Sequence, residues 1–132
     1  MTDEGSLEAI TTKLSRRSVS ETVAKLTELI GARGMTIFAV IDQAEAARKV
    51  GLHLRPTTLV VFGNPVMGTA VMEAVPLSAL DLPLKILVWA DAEQTKVSYV
   101  APGTIAARYA LDADLAANLS GIDALTEFLV NT

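Results

Sequence analysis

The sequence contains no cysteine and only one histidine, His53. Without cysteine, neither a disulfide framework nor a thiolate nucleophile can form. A single histidine excludes a metal site built from several imidazoles. A haem held by His53, with Met67 or Met72 as second ligand, has no attachment motif to support it. We therefore expect no metal and no other cofactor.

A basic stripe and a long apolar run are also missing. The net charge is −4, with acidic and basic residues interspersed, which disfavours nucleic acid as a partner. The longest apolar run, Leu82 to Ala90, contains Pro83 and Lys85 and falls far short of the roughly 20 residues that span a membrane. The polar, acidic opening residues do not resemble a secretory signal. We expect no nucleic-acid partner, no membrane association and a reducing, cytoplasmic compartment.

Hydrophobic residues make up 51% of the 132 residues, enough to bury the core of a single domain that spans residues 1–132. Local patterns predict five strands, at Leu7–Leu14, Met35–Ile41, Thr57–Phe62, Leu84–Ala90 and Thr95–Val100. They predict helices from Ser18 to about Gly31, then over Gln43–Val50, Pro102–Leu111 and Leu115–Val130. Because Met35–Ile41 is apolar on both faces, we expect it to be a central strand covered on two sides. Strands cluster in the middle of the chain and helices at its ends, which favours an α+β fold.

Several short motifs follow one another between about Ser18 and Tyr109. They are Phe38-Ala39-Val40-Ile41-Asp42, Leu54-Arg55-Pro56-Thr57, Phe62-Gly63-Asn64-Pro65, Gly68-Thr69, Asp81-Leu82-Pro83-Leu84-Lys85 and Ser98-Tyr99. On these motifs the chain resembles domain of unknown function family 302, with the family-like core at about residues 18–109. The resemblance implies a two-layer α+β sandwich, with helices against one face of a largely antiparallel five-stranded sheet. It suggests a homodimer, which also fits the high apolar fraction, and it implies no established activity, substrate or cofactor.

Asp42 and Arg55 form the first group of candidate residues. Asp42 could act as a ligand or proton acceptor at a strand end, but Asp42-x-x-Glu45 also matches a helix capping box. Arg55 could bind a carboxylate or phosphate through its forked donors. If the second and third strands are antiparallel neighbours, both residues lie at the same end of the sheet. We favour a structural ion pair between them over a second binding site.

Asn64, Asp81, Lys85 and Tyr99 form the second group. If the last three strands form an antiparallel meander, these residues meet at the end of the sheet opposite Arg55. A cation, an acid, an amide and a phenol together could orient a small polar ligand. Each also has a structural interpretation: Asn64 in a tight turn, Tyr99 in the core or an interface, and Lys85 at the rim with Asp81 or turn carbonyls as partner.

Two functions of different class remain open. The first is a non-catalytic small-ligand-binding or regulatory module that works as a homodimer. The second is a small enzyme that uses Lys85 with Asp81 or Asp42 as acid and base. A desolvated Lys85 in a pocket would favour the enzyme, and an exposed Lys85 on a flat rim would favour the module. No recognisable catalytic constellation is present, so we favour the module.

Overall fold

The computed structural model describes residues 9–132 and contains one antiparallel five-stranded sheet. The strands are β1 (Ile10–Ser15), β2 (Thr36–Asp42), β3 (Thr57–Gly63), β4 (Leu84–Asp91) and β5 (Gln94–Val100). Their order across the sheet is β1-β5-β4-β3-β2. The α+β prediction is confirmed. Residues 7 and 8 of the predicted first strand lie outside the described residues.

The helices are α1 (Val19–Ala32), α2 (Gln43–Lys49), α3 (Pro65–Ala74), α4 (Pro102–Arg108), α5 (Ala113–Ala117) and α6 (Gly121–Asn131). A 3₁₀ turn, Pro76–Leu80, follows α3. Helix α1 begins at the predicted capping box, in which the Ser18 hydroxyl accepts from the Glu21 amide and the Glu21 carboxylate accepts from the Ser18 amide, each at 3.1 Å. These bonds satisfy two amides that the helix itself leaves unpaired.

The main core lies between the sheet and helices α1 and α6. Its fully buried side chains alternate along each strand with side chains on the opposite face, as the two-residue period of a strand requires. The core includes Leu26, Ile30, Val60, Ile86, Val97 and Leu125. A second, smaller cluster joins α3, α4 and α5 through Val71, Ile105 and Leu119. Both clusters lie on the helical side of the sheet.

The opposite face of the sheet, which we call the open face, belongs to neither core cluster. Its centre is β4, the middle strand, whose outward side chains are Lys85, Leu87, Trp89 and Asp91. Leu14 of β1, which pairs with Lys96 of β5, is 54% exposed there. Within residues 9–132, this face therefore presents apolar side chains that the core does not use.

The predicted central position of Met35–Ile41 is wrong. The strand β2 lies at the edge of the sheet and pairs only with β3. Its register shifts between Ile37 and Ala39, and Phe38 at this bulge is 53% exposed. An apolar composition on both faces indicates contact with other groups, but it does not reveal how many neighbouring strands are present.

The C-terminal helices are shorter than predicted. Helix α4 ends at Arg108, and Ala110 has a left-handed φ of 49° that stops it. The Asp112 carboxylate then accepts from the Leu115 amide at 2.9 Å and begins α5 as a separate helix. The predicted helix Leu115–Val130 is two helices in the structure, because α5 ends at Ala117 and α6 begins at Gly121.

Candidate functional site

Antiparallel pairing gives the sheet two ends with different polar residues. Strand β3 starts beside the end of β4, where Thr57 pairs with Trp89, and ends beside its start, where Phe62 pairs with Leu84. We call the first the cleft end and the second the Asn64 end. Strand β4 is thus antiparallel to β3, which brings Asn64 and Lys85 to one end of the sheet.

Asn64 caps helix α3. Its side-chain oxygen accepts hydrogen bonds from the amides of Val66 at 3.0 Å and Met67 at 3.3 Å. It also borders a small apolar pocket of about 50 Å³ under α3, which Phe38 and Met72 help to line. Capping occupies the acceptor of this amide, so a ligand would meet mainly its amino group.

Asp81 is held by two side chains from the end of α4. The Tyr109 hydroxyl and the Arg108 guanidinium donate to Oδ2 of Asp81 at 2.5 and 2.8 Å. The Tyr109 hydrogen bond, with help from Arg108 and against partial burial, holds the pKa of Asp81 below its usual value. The same bond raises the pKa of Tyr109. Sequence reasoning missed Arg108 and Tyr109, which lie 27 and 28 residues from Asp81.

Lys85 lies on the open face and is exposed. Its ammonium contacts the backbone carbonyls of Pro83 at 3.3 Å and Asp81 at 3.5 Å, and within residues 9–132 it forms no salt bridge with a carboxylate. The position matches the rim arrangement with turn carbonyls rather than a desolvated pocket.

Tyr99 points the other way, into the core, and is 3% exposed. Its hydroxyl donates to Oδ1 of Asp123 at 2.5 Å and accepts from the Thr126 hydroxyl at 3.2 Å. Burial, followed by the bond to Asp123, raises the pKa of Tyr99. The residues of the second group therefore share one end of the sheet, but Tyr99 and Lys85 lie on opposite faces.

The two residues of the first group, Asp42 and Arg55, do not pair with each other. Oδ1 of Asp42 accepts from the Glu45 amide at 2.9 Å, so Asp42 caps α2. Arg55 instead lies 3.9 Å from Asp91, at the end of β4. The Lys96 ammonium, at 2.7 Å, is the main reason that the pKa of Asp91 is lowered. The structure thus gives Arg55 a different carboxylate partner because β4, as well as β2, adjoins the start of β3.

A cleft of about 780 Å³ opens at this end of the sheet. It lies between the first turn of α1, helix α2 and the loop before β3. Residues from all of these elements line it, among them Val19, Val40, Glu45, His53, Thr58 and Thr95. Its volume falls within the range of small-molecule sites.

Two buried threonines form part of the inner wall of the cleft. Thr58 of β3 is 7% exposed and Thr95 of β5 is 8% exposed. Within residues 9–132, neither side-chain hydroxyl has a hydrogen-bond partner, but neither oxygen is fully buried, and the one fully buried side-chain oxygen without a partner in this part of the chain is Oγ of Ser78. Sequence reasoning missed both, since an isolated threonine in a strand carries no signal beyond its β propensity.

Among the described residues, no three histidine or carboxylate side chains are grouped closely enough to hold a metal ion. No helix among residues 9–132 is both long and apolar enough to cross a membrane.

The family model of domain of unknown function DUF302 matches residues 10–128. The chain is 33% identical over 119 residues to fluoride-specific ion channel FluC 1 of Brucella suis biovar 1 (strain 1330), a match that covers 86% of this chain and 47% of that protein. It is also 33% identical to FluC 1 of Brucella abortus biovar 1 (strain 9-941), of which it covers 44%. The chain thus spans about half the length of these curated relatives.

A crystal structure of an uncharacterized conserved DUF302 protein from Bacillus stearothermophilus has the same fold. The TM-score is 0.78 at 19% sequence identity, over 93% of this chain and 96% of that chain. The resemblance to this family, read from the motifs between Ser18 and Tyr109, is confirmed.

Proposed function

We propose that this chain, which belongs to the family of domain of unknown function DUF302, is a non-catalytic ligand-binding or regulatory module that works as a homodimer. The observation that carries the dimer is the open face of the sheet. Its central strand presents Leu87 and Trp89, neither of which belongs to a core cluster of the described residues. An apolar surface of this kind is a common site of self-association.

The charges of the open face fit a second copy of the same chain. Along β4 the outward side chains run from Lys85 through Leu87 and Trp89 to Asp91. A two-fold axis across the middle of β4 would place each Lys85 opposite the partner's Asp91 and would pack the apolar centres together. Facing sheets pack in this aligned manner in β-sandwiches, and an isologous interface requires such self-complementarity.

Light scattering at micromolar concentration tests the assembly, with twice the chain mass of 13.9 kDa expected. Leu87→Glu should give the monomer, because the carboxylate would be buried against the partner. If Leu87→Glu does not fold, Leu14→Glu provides a second test, since Leu14 is on the same face and already exposed. It should also give the monomer. The matched control is Leu80→Glu, an exposed leucine of the 3₁₀ turn outside the sheet, which should leave the mass unchanged. A monomeric wild-type protein would contradict the proposal.

The exposed Lys85 supports the module rather than the enzyme. A lysine nucleophile or base needs a lowered pKa, which requires desolvation or a nearby cation. Lys85 instead lies in solvent, and the Asp81 carboxylate is occupied by Arg108 and Tyr109. A role for Asp42 with Lys85 would join residues at opposite ends of the sheet.

The relatives suggest what such a module could regulate. The proteins of Brucella that this chain matches over about half their length are named fluoride-specific ion channels. We propose control of an ion channel as the regulatory role. Fluoride efflux from vesicles should differ between a whole relative and the same relative without its matching portion, and equal rates would contradict this role.

A further inference from the structure

The wall of the cleft beside β2 is apolar and uncovered. Val40 pairs with Val60, a core residue, and directly paired residues point to the same face of a sheet. The Val40 side chain therefore lies on the helical side, yet it is 47% exposed. Leu52 and Leu54 of the loop between α2 and β3 also line the cleft and are exposed. Large apolar side chains exposed together in a concave site favour an apolar ligand group.

The course of helix α1 explains why this wall is uncovered. The chain enters α1 after Ser15, which pairs with Thr95 at the cleft end of the sheet. It leaves α1 before Thr36, which pairs with Gly63 at the Asn64 end. The helix therefore begins beside β1 and β5 and reaches β2 at the opposite end of the sheet, which leaves Val40 exposed.

The cleft is polar on its other side. There the turn between β4 and β5 and the start of α1 line it, through Glu93, Gln94, Thr95 and Ser20. Strands β2 and β5 are separated by β3 and β4, which places them about 14 Å apart. A ligand that fills the cleft therefore lies across the strands, with an apolar part beside β2 and a polar part beside the β4–β5 turn.

The charges of the cleft favour a cationic polar part. Three lining carboxylates, Asp42, Glu45 and Glu93, accompany one guanidinium, that of Arg48. Beside β2, Asp42 caps α2 and Glu45 pairs with Arg48. In the β4–β5 turn, Glu93 is exposed and forms no salt bridge within residues 9–132. With His53 neutral, an anion would meet only Arg48, which already has a partner.

We infer that the cleft binds a small cationic amphiphile, an organic ammonium with an apolar body. The ammonium lies beside the Glu93 carboxylate, and the apolar body covers the wall formed by Val40, Leu52 and Leu54. This inference rests on the ligand-binding role proposed above and does not depend on the dimer.

Four probes test the class of ligand. Butylammonium, octylammonium, octan-1-ol and octanoate are titrated separately into ¹⁵N-labelled protein at neutral pH. Octylammonium should bind most tightly and shift the amide resonances of Leu52, Leu54 and Glu93. Butylammonium covers less of the apolar wall and should lose about two- to fourfold in affinity per methylene removed. Octan-1-ol should bind about fivefold more weakly than octylammonium, and octanoate should bind most weakly of the eight-carbon probes.

Isosteric variants locate the ammonium. Glu93→Gln removes the carboxylate charge and should weaken octylammonium binding about fivefold while leaving octan-1-ol binding unchanged. The matched control is Asp42→Asn, which removes a charge beside β2 and keeps a side-chain oxygen that can cap α2. It should change octylammonium binding by less than about twofold. A larger effect of Asp42→Asn than of Glu93→Gln would overturn the inference.

Serine variants test the apolar wall. Leu52→Ser should weaken octylammonium binding about tenfold, because the octyl chain loses an apolar contact. The matched control is Leu77→Ser, in the 3₁₀ turn outside the cleft, which should leave binding unchanged. Leu52 and Leu77 are 67% and 69% exposed, so both variants should unfold at nearly the wild-type temperature.

Three further results would overturn the inference. They are octanoate binding as tightly as octylammonium, unchanged octylammonium binding in Leu52→Ser, and the absence of shifts at Leu52 and Glu93 with every probe. Shifts confined to another surface would also overturn it, but would leave the proposed ligand-binding role in place. Light scattering of the same samples reports separately on the dimer.

Discussion

The polar residues at the two ends of the sheet differ in their hydrogen bonding. At the Asn64 end, Asn64 caps a helix, Asp81 receives two donors, and Tyr99 is bonded to Asp123. At the cleft end, the hydroxyls of Thr58 and Thr95 have no partner among residues 9–132, and neither oxygen is fully buried. Polar groups that form hydrogen bonds with one another stabilise the fold, whereas solvent-accessible groups without a protein partner are available to a ligand. A mixed polar composition is therefore weaker evidence for a site than an unfilled hydrogen-bonding capacity.

The largest effect at the Asn64 end is expected for Tyr99→Phe. The substitution removes a buried hydroxyl that donates to the Asp123 carboxylate, and bonds to charged acceptors are the stronger class. The free energy of unfolding in urea should fall by about 1.5 kcal/mol. An unchanged value would mean that this network does not stabilise the fold, and would weaken the contrast between the two ends.

Asn64→Ala should have the next largest effect. It removes the side-chain acceptor that satisfies the amides of Val66 and Met67 at the start of α3. Loss of such a cap typically costs about 1 kcal/mol, measurable by urea unfolding. Asn64→Asp preserves the acceptor and should retain most of the stability. If the aspartate variant were as unstable as the alanine variant, capping would not be the role of Asn64.

Asp81→Asn should cost stability in a pH-dependent manner. Because its pKa is lower in the folded state than in the unfolded state, the ionised carboxylate stabilises the fold above the unfolded pKa. That contribution is lost as the pH falls through the folded pKa. The difference in unfolding free energy between wild type and Asp81→Asn should thus be largest above about pH 5 and should shrink towards about pH 3.

Tyr109→Phe sharpens the same test. It removes the hydrogen bond that lowers the pKa of Asp81 most. The pH dependence of unfolding should flatten relative to wild type but less than in Asp81→Asn, because Arg108 still donates to the carboxylate. A pH profile identical to that of wild type would contradict the assigned role of Tyr109.

The smallest effect is expected for Lys85→Ala. The ammonium contacts only backbone carbonyls and is exposed, and surface substitutions of this kind usually change stability by less than about 0.5 kcal/mol. Urea unfolding of the monomeric Leu87→Glu background separates this effect from any loss at the proposed dimer interface. A large loss in that background would show that Lys85 has a structural role its contacts do not explain.

Much of the fold could be predicted from local sequence. The capping box at Ser18 located the start of α1, and the short Asp91–Gln94 turn identified the β4–β5 hairpin. The family motifs added the antiparallel sheet. The position of β2 could not be predicted in this way, because edge or centre depends on how many strands pair with it, which is a property of the whole sheet.

The site was harder to predict for a related reason. The contact of Asp81 with Tyr109 and the shared cleft position of Thr58 and Thr95 join residues far apart in the chain. Arg55 was assigned to Asp42 because only the neighbouring strand was considered, whereas Pro56 also bonds to Ala90 at the end of β4. Residue type indicated which side chains carry chemistry, but only the pairing of strands determined which of them meet.

The bulge in β2 bears on how the protein avoids aggregation. An outer strand exposes unpaired amides and carbonyls that can recruit a strand from another molecule and start a growing fibril. The irregularity between Ile37 and Ala39 interrupts that row of backbone groups, and bulges of this kind hinder further strand addition. At the other edge of the sheet, β1 carries the charged residue Lys13. Charged residues on edge strands also hinder the addition of a further strand. The molecule can therefore keep an apolar sheet surface available for a closed assembly while both borders resist open-ended polymerisation.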